Sequence, residues 1–285
     1  GGAVDGAQDL TITAGSGAVS LDGVGQNTAI GSLNIDSTGT TTLNGDIDAS
    51  SIALDGATDV DLATGAITLD TSAANGLVDL TGGAVDGAQD LTITAGSGAV
   101  SLDGVGQTTA IGALDIDTTG VLSFNDAVTA GSIALDGAAD VDLATGAITL
   151  NTSAANGVVT FATAGNVDGA QDLTIIAGSG AVSLAGVGQN TAIGALNIDT
   201  TGTTTLNGDI DASSIVLDGA TDVDLATGAI TLDTSAANGL VDLTGGAVDG
   251  AQDLTISAGS GAVSLAGVGQ NTAIGALNID ATGTT

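Results

Sequence analysis

Apolar and polar residues alternate in short stretches along the whole chain. Positions 1–81 hold eight of them: Leu10-Thr11-Ile12, Val19-Ser20-Leu21, Leu33-Asn34-Ile35, Thr41-Thr42-Leu43, Ile52-Ala53-Leu54, Val60-Asp61-Leu62, Ile67-Thr68-Leu69 and Val78-Asp79-Leu80. An apolar residue at every second position is the period of a strand with one face buried. The stretches fall into four pairs around Gly, Ser or Asp turns. Each pair occupies about 20 residues, within the range of a solenoid repeat. A unit of that size, with two firm strands and a weaker third, is one coil of a parallel β-helix. Ala29-Ile30, Asp46-Ile47-Asp48 and Ala84-Val85 are the candidates for the third strand. Gly and Asp are poor helix formers, and no stretch holds the i, i+3, i+4 apolar spacing, so helices are not expected.

The pattern repeats. The phrase VDGAQDLT places its Asp at Asp5, Asp86, Asp168 and Asp249, a nearly constant interval with one extra position at the junction into the third repeat. The sequence therefore divides into repeats at 1–81, 82–162 and 163–244, with a partial fourth at 245–285. The expected architecture is all-β: one continuous right-handed parallel β-helix, or solenoid, with about four coils per repeat and about 14 coils in all. Val, Leu and Ile point inward and stack on like residues one coil away, at the roughly 4.8 Å spacing of hydrogen-bonded strands. Phe124 aligns with Leu43 and Phe161 with Leu80, both inward positions, and both are expected in the core. Without capping sequence at either end, the chain reads as a segment of a longer array.

Composition narrows the functions. The chain carries 33 acidic residues, all of them Asp, and no Lys, Arg or His, for a formal net charge of -33. It cannot neutralise phosphates, so nucleic acid is excluded as a partner. The same lack removes an electrostatic hold on anionic lipid, and no apolar run reaches the roughly 18 residues of a membrane span. Without Cys or His there is no thiol, zinc, haem or iron–sulfur chemistry. The usual general bases and Schiff-base nucleophiles are absent too. Paired carboxylates do recur, as Asp59-Val60-Asp61, Asp140-Val141-Asp142 and Asp222-Val223-Asp224, and again as Asp46-Ile47-Asp48 and Asp209-Ile210-Asp211. Residues two apart on a strand share a face, so these acids point to solvent. A glycosidase would need a cleft, aromatics that stack on sugar, and two carboxyls tuned apart. The expectation is a protein that is not an enzyme and needs no cofactor.

Cations are the one candidate ligand. Asp36, Asp55 and Asp70 follow the first strand of three consecutive coils and are expected to stack as a ladder of like charge. The equivalent sets are Asp117, Asp136 and Asn151 in the second repeat, and Asp199, Asp218 and Asp233 in the third. Carboxylate ladders supply oxygen ligands for Ca²⁺. The same residues also read as turn formers, as in Asp55-Gly56 and Asp36-Ser37-Thr38-Gly39, or as sites of diffuse counter-ions. The outward row Thr11, Asn34, Ala53, Thr68 is too irregular for an ice-binding face.

Segments such as LTITAGSGAVSLDGVGQNTAIGSLNIDSTGTTTLNGDI carry a resemblance over the whole chain. They look like the repeat arrays of the filamentous-haemagglutinin-like adhesins and related β-strand-repeat proteins of bacterial surfaces. The resemblance implies secretion, a cell-surface location and a right-handed parallel β-helix. The expected function is that of an extracellular shaft or filament segment, with copies of itself or further repeats joined end to end. The alternative is a calcium-dependent adhesin that grips surfaces or glycans through the rod. Absence of Lys and Arg leaves no trypsin-like cleavage site, which suits long exposure outside a cell.

Overall fold

The computed structural model describes residues 4–54, 56–161 and 164–285. Among them all regular structure is β-strand, with no helix. The strands pair in parallel with those one coil before and after. The chain divides into two compact units, Gly1–Asp140 and Val141–Thr285, each a parallel β-solenoid.

In the first unit the inward residues form three columns. One runs Leu10, Leu33, Ile52, Val78, Val100, Leu122. The second runs Val4, Val24, Ile47, Leu69, Ile93, Ile116, Leu135. The third runs Val19, Thr41, Val60, Val85, Val105, Val128. Away from the first few residues these side chains are buried, and each buried Leu, Ile or Val contributes about 1.5–3 kcal/mol over an exposed one. The second unit has the same construction, with Val187, Ile210, Leu232, Ile256 and Ile279 in one of its columns.

Each coil thus has three strands rather than two and a remnant. The steps along a column are uneven, short from Leu33 to Ile52 and long from Ile52 to Val78. Two features set this coil apart from the one that alternation alone predicts. Val24, between two glycines, bridges Val4 and Ile47 as a strand of one residue, too short to show alternation. Strand Ile47–Ala53 bends across two faces: Ile47 pairs with Leu69, whereas Ile52 pairs with Val78.

The repeat therefore holds eleven strand positions, the eight alternating stretches plus Val24, Ile47 and Val85. Eleven does not divide by three, so the repeat, expected to hold about four coils, spans three and two-thirds of them. An element that recurs once per repeat moves to another face when it recurs. Leu10 and its equivalent Leu91 stand in different columns, as do Val19 and Val100, and Val24 and Val105. Within the second unit, Leu173 and Leu254 are separated in the same way.

The two phenylalanines are buried, and Phe124 stacks on Leu102. At the corners, Asn75, Asn156 and Asn238 adopt left-handed backbone with φ of 57 to 58°. Asn tolerates this region better than most residues. Their Oδ1 atoms accept from Ser97, Ser179 and Ser260 N–H in the following coil, at 2.8 to 2.9 Å.

Candidate functional site

The expected acid ladders form in part. Asp117 stands over Asp136, and Asp199 over Asp218, as alignment of their coils requires. Asp36 pairs with Thr13, and Asp55 lies outside the described residues. Asp70 does not continue the Asp36 row. It pairs with Asp48 on one side and Thr94 on the other, because Ile67–Asp70 belongs to the next face of the coil. Asp233 likewise pairs with Asp211 and Ser257, not with Asp218. Asn151 pairs with Ile176. The corrected row in the first unit is Asp48, Asp70, Thr94, Asp117, Asp136. The outward row that starts at Thr11 continues through Asn34 and Ala53 to Asp79, not to Thr68.

Several of these acids act as turn formers. Asp70 Oδ1 accepts from Ser72 N–H at 2.8 Å and Ser72 Oγ–H at 2.6 Å. Asp233 Oδ1 accepts from Ser235 N–H at 2.8 Å. Asn151 fills the same place with a neutral oxygen, accepting from Ser153 N–H at 3.0 Å and its hydroxyl at 2.7 Å. The turn requires an acceptor, not a charge.

A surface hollow lined by acids is found in each unit. In the first it measures about 300 Å³ and is lined by Gln26, Asp46, Asp48, Thr68 and Asp70 over Val24 and Ile47. In the second it measures about 180 Å³ and is lined by Gln189, Asp209, Asp211, Thr231 and Asp233 over Ile210. Asp46 and Asp209 are held by the following coil, their Oδ1 atoms accepting from Thr68 and Thr231 N–H at 2.8 and 2.7 Å. Burial, and then the facing Asp70, pushes the Asp48 carboxyl above its usual range. Burial and Asp233 do the same to Asp211. In the second repeat all three acids are gone together, replaced by Ala127, Thr129 and Asn151. Among the described residues no three acidic side chains converge closely enough to hold a metal ion. The hollow can concentrate cations and protons, since paired carboxylates without a cation beside them favour both.

Sequence reasoning passes over the most buried acids. Asp86, Asp168 and Asp249, from the repeated VDG phrase, are at most 4% exposed. Each ties one coil to the next. Asp168 Oδ1 accepts from Asn190 and Thr191 N–H, both at 2.8 Å, and its Oδ2 from Asn190 Nδ2 at 3.0 Å. The signal is present in the sequence, in the constant spacing of this Asp from the turn one coil on, Gln107-Thr108-Thr109 after Asp86 and Gln189-Asn190-Thr191 after Asp168.

No protein-family model matches the chain, and comparison with curated proteins and with solved structures finds none similar to it.

Proposed function

We propose that the chain is a shaft segment of an extracellular bacterial surface filament, mechanical in its role and continued end to end by further repeats or further copies. The observation that carries this reading is the mismatch between eleven strand positions and three faces. A protein that grips a flat partner gains by repeating its contacts along one face. Here elements that recur once per repeat, such as those of Leu10 and Leu91, come back on another face, while the inward columns continue within each unit. What the repeat preserves is the ladder and its core. The resemblance to filamentous-haemagglutinin-like arrays supports the same role, and uniform negative charge keeps such rods soluble and apart.

Single-molecule stretching and imaging of the purified chain test this. A stiff particle that holds its length under force, and shows no retention on glycan or cell-surface arrays, is the expected result. Specific retention by the isolated chain overturns it in favour of the adhesin.

A calcium-dependent adhesin is the second reading, favoured by one observation: the three-acid hollow recurs in both units, and all three acids are lost together in the second repeat. Calcium titration at fixed ionic strength separates the two readings. A saturable rise in melting temperature that magnesium does not reproduce supports the adhesin, and a response set by ionic strength alone supports the shaft.

A further inference from the structure

The chain has no Lys, Arg or His, so the only positive charge it can itself place beside a buried carboxylate is a proton. The second unit contains a place that requires one. Asp249 is 1% exposed and uses both its oxygens: Oδ1 accepts from Asn271 N–H at 2.8 Å and Thr272 N–H at 2.9 Å, and Oδ2 from Asn271 Nδ2 at 3.2 Å. On the adjacent strand, Asp222 turns Oδ1 into the protein, where no group donates to it. Two carboxylates cannot bond each other. The Asp222 and Asp249 carboxyls lie within hydrogen-bonding reach of each other, and one of them must carry a proton for that contact to hold.

The surroundings supply no alternative. Asp222 lies beside Thr203 on the strand before it and Ala247 on the strand after it, and Asp224 is two residues along its own strand. The titratable groups that bear on it are Asp249 and Asp224, both acids, and the Asn271 amide is neutral. In the first unit Asp59 and Asp86 also lie within hydrogen-bonding reach of each other. Asp59 lies between Thr40 and Ala84, with Asp61 on its own strand and Asp86 on the next. Asp86, 4% exposed, accepts from Thr108 and Thr109 N–H on one oxygen, both at 2.8 Å. Thr108 stands where Asn271 stands in the other unit, so the second oxygen of Asp86 has no amide to compete for it.

We propose that Asp222 with Asp249, and Asp59 with Asp86, each hold one proton taken from solvent, the carboxylic acid of Asp222 or Asp59 donating to the buried carboxylate of the next coil, so that mild acidification tightens both solenoid units.

The titration directions agree with this division of roles. Burial, then the hydrogen bond and charge of Asp249, hold Asp222 above the ordinary carboxylate range. The Thr272 N–H foremost, with the other donors, holds Asp249 below it. Burial, followed by Asp61 and Asp86, raises Asp59. A raised carboxyl costs stability while ionised, and that cost is relieved as pH falls through its folded value towards the unfolded value of about 3.8–3.9. A lowered carboxyl keeps its contribution until pH falls below that value. The gain on acidification therefore lies above about pH 4, with a loss below it.

The test uses the full chain and its double variant Asp59→Asn, Asp222→Asn. The Asn amide can donate to the buried carboxylate at any pH, in place of the acid. Urea unfolding is followed by circular dichroism from pH 7 to about 4 at fixed ionic strength. The expected result is a variant with a higher midpoint at pH 7 and a smaller rise on acidification, the remaining rise belonging to acids such as Asp48, Asp103, Asp115 and Asp211. Equal midpoints at pH 7 and parallel pH profiles overturn the proposal. Carboxyl ¹³C titration of the unsubstituted chain gives a reading independent of the variant's folding. Asp222 and Asp59 titrating above the ordinary carboxylate range supports the shared proton, and titration of either at the ordinary value overturns it for that pair.

Discussion

Asp48 stands over Asp70 on adjacent strands, one rung of a parallel ladder apart, with no cationic side chain anywhere in the protein to separate them. Like charges directly opposite each other on a sheet are destabilising by a few tenths of a kcal/mol to about 1 kcal/mol. Asp70→Asn removes the repulsion and keeps the acceptor for Ser72, as Asn151 already does for Ser153. The variant is expected to gain about 0.5 kcal/mol at low ionic strength. The gain shrinks with added salt as screening replaces the substitution. Because Asp48 is raised, the unsubstituted chain recovers the same stability as pH falls towards the unfolded carboxyl value. Urea midpoints at two salt concentrations and two pH values check all three statements.

Thr41 and Thr204 occupy inward positions in the aliphatic columns, fully buried, with Oγ1 atoms that have no hydrogen-bond partner. Thr41 sits between Val19 and Val60, and Thr204 between Val182 and Val223. A buried hydroxyl without a partner costs about 1–3 kcal/mol, and a methyl of the same shape removes that cost. The second repeat already carries Leu122 at this position, fully buried. Thr41→Val and Thr204→Val are each expected to stabilise the chain by about 1 kcal/mol. Thermal melts followed by circular dichroism measure the effect, and an unchanged or lower melting temperature contradicts this account of the core.

Asp168 has the opposite character. Its carboxylate gathers two backbone N–H groups and one side-chain amide from the next coil. Asp168→Ala leaves these donors unpaired in a corner that water reaches poorly, and the expected cost is about 3 kcal/mol. Asp168→Asn keeps one oxygen acceptor and should recover part of the loss. Amide hydrogen exchange provides a local test: Asn190 and Thr191 lose protection in the alanine variant before the rest of the ladder does.

The strands and the buried face are readable from alternation, because alternation is itself the consequence of one face being sealed, and the parallel pairing is readable from the unit of about 20 residues. Val24 is not, since a single valine between glycines has no period to display, and the weaker third strand of that coil reads instead at Ala29-Ile30, where Ile30 in fact opens the next strand, Ile30–Ser37. That difference puts Asp70 and Asp233 on the wrong rows while leaving Asp117 over Asp136 and Asp199 over Asp218 in place. The buried role of Asp86, Asp168 and Asp249 is hidden for another reason. An Asp followed by Gly reads as a local turn, and its partners lie a full coil away, where only the stacking brings them close.

The close stacking of coils also fixes where a side chain cannot be added. Gly76 and Gly239 pass so near the preceding coil that a Cβ would overlap the carbonyl oxygens of Ser50 and Ser213. Neither glycine has a positive φ, so the constraint is proximity and not backbone conformation. Thr71 and Thr234 hold the same corner from the other side, donating Oγ1–H to the Gly76 and Gly239 carbonyls at 2.7 and 2.9 Å. The corner therefore cannot move outwards to admit a methyl without breaking that bond and the ladder beside it. Gly76→Ala is expected to cost about 3 kcal/mol, at the upper end of what overpacking usually imposes. Gly65 supplies the control, because a Cβ there meets open space and only its φ of 64° opposes a side chain. Gly65→Ala should cost about 1 kcal/mol, the penalty of left-handed backbone alone. Urea unfolding of the two variants side by side decides the point: equal losses would mean that coil-to-coil proximity at Gly76 is not what requires glycine there.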